Sequence, residues 1–134
     1  MMTDRGCVLA QEALALVGAP FRLHGRSAET GLDCVGVVAL AARRAGHWAA
    51  VPDRYALRGG RLDEILAWMK AAGLASVDEM RRGDVVLVQA GVRQFHLMVF
   101  TGAGFVHAHA GLRRVVEVPG ESPWPVLTIW RLVA

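Results

Sequence analysis

The chain holds only two cysteines, Cys7 and Cys34, in 134 residues. Neither their number nor their spacing fits a disulfide framework or a zinc knuckle, so both read as free thiols made in a reducing compartment. Long hydrophobic runs are missing too: "VGVVALAA", the longest near the second cysteine, falls far short of the roughly 18 residues a membrane span needs. Residues 1–20 contain the apolar stretch "VLAQEALALVGA", but Gln11 and Glu12 interrupt it and no basic segment precedes a cleavage site. It reads as an amphipathic helix, not a signal peptide. Lysine is almost absent, Lys70 being the only one among 15 basic residues, and the net charge of +3 rests on arginine, with pairs at 43/44, 81/82 and 113/114. The pairs are dispersed and not interleaved with aromatics, which favours a solvated surface over a nucleic-acid groove. Repeats, linkers and low-complexity runs are lacking as well. Residues 1–134 therefore read as a single domain, long enough to bury a core without disulfides or metal.

What the chain does have is apolar periodicity in its first half and short β-rich runs in its second. Thr3 and Asp4 can cap a first helix running to about Val17, with Leu9, Ala13, Leu16 and Val17 on one face, and Gly18 and Pro20 end it. Residues 20–32, "PFRLHGRSAETGL", show no periodicity and read as a loop that delivers the chain to Asp33. A second helix follows from about Asp33 to Ala45 with Gly46 as its stop, and a third near Leu62 to Ala72 carries Leu62, Ile65, Leu66 and Met69 on one stripe. From Gly83 onward, "DVVLVQA", "QFHLMVF", "FVHAHA", "RRVVEV" and "VLTIWRLV" are strands separated by short turns, which implies antiparallel pairing. Helices first and a meandering sheet second make an α+β domain, its helices packed on an antiparallel sheet of about five strands.

Asp33 or its neighbours cap the second helix and place Cys34 in its first turn, where backbone N–H groups and the positive end of the helix dipole converge. That setting lowers the cost of a thiolate and offers an N–H donor to a developing oxyanion. Cys34 can act as a nucleophile if a histidine reaches it; Cys7 has nothing polar arranged around it and reads as packing. Period-2 alternation puts His96, Met98 and Phe100 on one strand face and Phe105, His107 and His109 on another. A two-residue turn at Gly102 and Ala103 sets 96 opposite 109 with 107 diagonally adjacent, all on one sheet face. One imidazole can take the proton of a thiol while a second fixes its tautomer.

Taken together, "GLDCVGVVALAARRAG", "RRGDVVLV", "FHLMVF" and "FVHA" resemble, in order, the motifs of the NlpC family of bacterial cell-wall cysteine peptidases: a G-x-D-C-S-G helix start, a G-D-hydrophobic strand, an H-V-G-I-like strand and an F-[IV]-H-A strand. The compact size and the "FRLHGR…GLDCVG" variant look most like members encoded by phages and gene transfer agents. The resemblance implies a papain-like fold and hydrolysis of peptidoglycan stem-peptide amides, typically the γ-D-glutamyl to diaminopimelate bond, without metal or cofactor. It assigns Cys34 as nucleophile, His96 as general base and His107 as the residue that orients the base.

Three departures stand out. The serine after the family cysteine is Val35, the tyrosine of the Y-x-x-G-G loop is Phe21, and the first glycine of that loop is His24. A hydroxyl expected near the oxyanion or substrate is thus missing. The hairpin from His96 to His107 is also one residue shorter than the family spacing, which keeps His109 as a competitor for the orienting role. His24 and Asp33 remain candidates for substrate contact, Asp33 being first a helix cap; His47 reads as a surface residue.

The same residues admit other functions. Cys34 with His96 and His107 or His109 has the donor set of a zinc site; the fold can serve as a non-catalytic tail or baseplate component; and a thioester at Cys34 also suits an amidase or acyltransferase. Because peptidoglycan lies outside the membrane, a chain made in the cytoplasm without a signal peptide is expected to reach it in a phage-like particle, with tail or baseplate proteins as partners.

Overall fold

Carboxylates start the first two helices. The structure, a computed structural model, describes residues 4–47 and 60–133. Asp4 accepts a hydrogen bond from the Gly6 N–H at the start of α1 (Arg5–Ala15), and Asp33 accepts one from the Gly36 N–H at the start of α2 (Cys34–Arg44). Such caps each stabilise a helix by about 1 kcal/mol; Thr3, the other expected cap of α1, lies outside the described residues. The first helix stops at Ala15, short of the expected Val17, because Leu16 and Val17 turn on tighter bonds to the Ala13 and Leu14 carbonyls before Gly18 reverses the chain at φ +96°.

Two further differences from the expected elements have short segments as their cause. Residues 20–32 include β1 (Arg26–Ser27) and β2 (Gly31–Leu32), paired antiparallel, in a stretch too brief for any alternation to register. After α3 (Leu62–Ala71), the four-residue strand β3 (Leu74–Val77) also escapes the pattern; with it the main sheet has six strands. On α3 the stripe buries Ile65 and Met69, whereas Leu62, in the first turn, is 38% exposed.

The other strands are β4 (Val85–Gly91), β5 (Gln94–Phe100), β6 (Gly104–His109), β7 (Arg114–Pro119) and β8 (Val126–Leu132). The sheet runs β3-β8-β4-β5-β6-β7, and every neighbouring pair is antiparallel. Strand alternation sorts its residues to two faces. Val85, Leu87, Leu97, Val99, Val106 and Ala108 meet the three helices in the main core. Val86, Val88, Met98 and Phe105 form a second, smaller cluster with Trp124 and Ile129 against it.

The feature that positions the site is the parting of β5 from β6. Their ladder holds Val99 opposite Val106 and Phe100 opposite Phe105, the register the two-residue turn predicts, and extends no further. Phe100 gives its N–H to Asp84 on the β4 side, so by alternation Leu97 points its N–H toward β6. The first turn of α2 stands there instead of the β6 carbonyl, and the Leu97 N–H donates to the Cys34 sulfur.

The G-D motif anchors the far end of the same strands. Asp84, 1% exposed, accepts bidentate hydrogen bonds from Arg131 at 2.8 and 2.7 Å and a third from the Arg81 N–H at 2.8 Å. Asp84→Ala leaves the Arg81 N–H without its acceptor and reduces the part-exposed Arg131 to its bond with the Glu79 carbonyl. The expected loss is about 2 kcal/mol of unfolding free energy, read from chemical denaturation.

Candidate active site

A cleft of about 600 Å³ opens where β5 and β6 part from one another. Its lining brings together Cys34 from α2, His96 from β5 and His107 and His109 from β6, with Phe21, His24 and Asp33 at the α2 side. Within it, His96 Nε2 and His107 Nδ1 lie 2.9 Å apart in a hydrogen bond. His109 is engaged elsewhere: its Nδ1 accepts the Leu112 N–H at 3.0 Å, in the turn to β7, and its ring lies 5.7 Å from that of His107. Of the two candidate partners, the one that contacts His96 is therefore His107. With Nε2 occupied, Nδ1 is the His96 nitrogen left for the cleft, and it is a base only in the tautomer whose proton sits on Nε2 and is donated to His107. His107 must then carry its own proton on Nε2, a buried atom with no hydrogen-bond partner among the described residues.

The electrostatics favour neutral groups. Burial pushes the Cys34 thiol up to about 12, Asp33 adds to the rise, and the N–H groups of Leu97, Val35 and Cys34 itself oppose it. Burial, then His107 and His109, push His96 down to about 3; burial and His109 push His107 down to about 4, against a small opposing contribution from the Ala108 backbone. At neutral pH the Cys34 thiol and the two imidazoles of the cleft rest uncharged. These shifts set a stability profile. Between about 4 and the usual 6.5 the unfolded chain binds protons that folded His96 and His107 refuse, so stability is lost as pH falls through that range. Above 9 the unfolded chain releases a thiol proton that folded Cys34 keeps to about 12, so stability falls again as pH rises. Denaturation midpoints across pH are expected to plateau between these limits, with both limbs flattened in a Cys34→Ala, His96→Phe double variant.

Asp33 ties the cleft wall to the nucleophile's helix. Buried to 4% exposure, it accepts from the Gly36 N–H with one oxygen and from the His24 N–H with the other, each at 2.8 Å, and pairs with Arg26 at 3.4 Å. His24 is thereby held at φ +60°, a left-handed conformation that glycine adopts at no steric cost. The side chain of Val35 turns away from the cleft into the contact of α2 with α3 and the sheet, so the residue reaches the site only through its N–H. Phe21 supplies a ring and no donor. His47 bonds the Ala72 carbonyl at 2.7 Å, linking the ends of α2 and α3 far from the cleft. The zinc arrangement considered from the sequence does not form: among the described residues no three His, Cys, Asp or Glu side chains are grouped to hold a metal ion. Among the cleft residues without a role in the sequence pattern, one touches both imidazoles. Trp124 stands against both His96 and His107 at ring-centroid distances of 5.6 and 5.5 Å; its only signal was a tryptophan between two prolines.

The family model described as NlpC/P60 matches residues 18–129, which include the cleft residues and the sheet through most of β8. The chain belongs to the NlpC/P60 family. NlpC/P60 members are in general peptidoglycan hydrolases, and some are non-catalytic. Solved NlpC/P60 structures share the fold. NlpC1 from Trichomonas vaginalis superposes with a TM-score of 0.72 at 17% identity, covering 98% of this chain and 46% of that one. The NlpC/p60 domain of the peptidoglycan hydrolase SagA gives 0.55 at 22%, covering 85% and 88%. RipD from Mycobacterium tuberculosis, a non-catalytic NlpC/p60 domain protein adapted to peptidoglycan binding, gives 0.65 at 17%, covering 98% and 100%. The chain spans about half the length of the Trichomonas proteins it matches. No curated protein sequence matches it.

Proposed function

We propose that the protein is a cysteine peptidase that hydrolyses amide bonds of peptidoglycan stem peptides, the γ-D-glutamyl to diaminopimelate bond being the expected target. The observation that carries this reading is the 2.9 Å bond from His96 to His107 in the cleft that Cys34 also lines. As the Cys34 sulfur attacks the scissile carbonyl carbon, its proton passes to His96 Nδ1. Because both groups are neutral at rest, transfer accompanies attack and no ion pair is formed beforehand. The carbonyl oxygen becomes an oxyanion beside the N–H groups at the start of α2. His96 returns the proton to the leaving amine, the C–N bond breaks and a thioester remains. Water then attacks the thioester, giving its proton to His96; the sulfur leaves and recovers a proton, and the product is a carboxylate.

A second reading, peptidoglycan binding without turnover, is favoured by the thiol raised to about 12 and by Phe21 in place of a hydroxyl donor. Dye-labelled sacculi separate the two. Hydrolysis releases soluble dye with the wild type and not with Cys34→Ala; binding alone gives cosedimentation of both proteins and no release. The "FRLHGR…GLDCVG" variant, like that of particle-encoded members, supports delivery to the wall in a phage-like tail, which immunodetection in purified particles tests.

A further inference from the structure

We propose that Trp124 is a positioning residue of this site: packed at right angles to both histidines, it holds the His96 ring in the orientation that gives Nε2 to His107 and leaves Nδ1 for Cys34. The inference rests on the peptidase reading for its kinetic consequence, although not for its spectroscopic one. The three rings form a corner. Trp124 meets His96 and His107 at 81° each, and the two imidazoles meet each other at 89° with centroids 4.9 Å apart. An imidazole has two chemically different edges of similar shape, and a half-turn about its Cβ–Cγ bond moves its nitrogens to the opposite side. Among the described residues the hydrogen bond to His107 is the one polar contact that resists this half-turn, and it leaves the tautomer open, since His107 Nδ1 serves as donor or acceptor according to its own protonation. Trp124 closes a second side of the His96 ring, so a rotated ring loses the edge contact and the hydrogen bond together.

The segment carrying Trp124 is built to stay in place. Pro123 and Pro125 fix the backbone on either side and restrict the residues before them. Ser122 Oγ donates to the Trp124 carbonyl at 2.7 Å and accepts the Trp124 N–H at 3.2 Å. The Pro125 carbonyl accepts the Gln89 N–H at 3.1 Å, which ties the segment to β4. The indole packs against the small cluster of Val86, Val88, Met98 and Phe105 under the histidines. The titratable groups around the pair are Cys34 and Asp33 from α2, His24 from the loop before β1 and His109 from β6; β4 contributes only Ala90 to the lining. Trp124 is thus a large rigid neighbour of both rings that itself takes no part in proton transfer.

The test combines kinetics with nitrogen-15 NMR of the histidine rings, in the wild type, Trp124→Leu and Trp124→Phe. The expected result for Trp124→Leu is a fall in kcat of about 10- to 100-fold with KM within about threefold. Its His96 ring signals should pass from one tautomer with a slow-exchanging Nε2 proton to an averaged pair. Trp124→Phe, which keeps a flat ring, should restore most of both. An unchanged His96 tautomer in Trp124→Leu overturns the proposal, whether or not turnover falls, because the indole then acts by substrate contact or not at all. If the wild type hydrolyses nothing, the peptidase reading fails while the NMR comparison still decides the role of Trp124; if Trp124→Leu does not fold, Trp124→Phe and Trp124→His are compared in its place.

Discussion

His96→Ala is expected to lower kcat/KM for a stem-peptide substrate by about 10³-fold, the scale of losing a positioned general base. The reason is specific to this cleft. With the thiol raised to about 12, almost none of Cys34 is thiolate at neutral pH, so attack depends on a base that accepts the proton in flight. Stopped-flow or steady-state kinetics at pH 7 measure it. A drop of less than about tenfold would mean that the thiol ionises without His96 and that the burial assigned to Cys34 is wrong. His107→Ala is expected to be milder, because it removes the tautomer lock and leaves the base.

A large expected change in stability comes from Gly36→Ala. Gly36 lies in the first turn of α2, and the Gly25 carbonyl oxygen occupies the place a Cβ would take; Gly25 in turn is closed in by the Gly31 carbonyl. These are backbone contacts, so no side chain can swing away to make room. The loop carrying His24 must lift off α2, breaking the His24 N–H bond to Asp33 with it. A loss of about 3 kcal/mol is expected, at the upper end for one added methyl in a closed contact. Denaturant midpoints check it, and a change below about 0.5 kcal/mol would show that the loop does not rest on the helix as described.

Much of this architecture is legible in the sequence, for reasons that also explain what is not. Asp33 and Gly46 bracket α2 because caps and stops are local chemistry, and Cys34 follows one residue after the cap. The pairing of His96 with the β6 histidines follows from strand alternation and a two-residue turn, both countable. The choice between His107 and His109 was not countable, because it depends on where β5 and β6 separate, and the first turn of α2, distant in sequence, stands at that point. The two-residue strands β1 and β2 and the edge strand β3 are too short for periodicity. The role of Asp84 as an ion-pair anchor needed Arg131, which lies on the distant β8. Trp124 reads as an isolated aromatic until the fold brings β8 beside β4.

The measurement that bears most directly on the whole account is mass spectrometry of defined muropeptides incubated with the wild type and with Cys34→Ala. The expected result is two new fragments from the wild type whose masses sum to the substrate plus one water, cut at a stem-peptide amide, and intact substrate with Cys34→Ala. Fragments produced equally by both proteins would contradict it, as would intact substrate with both when each is folded and bound to sacculi.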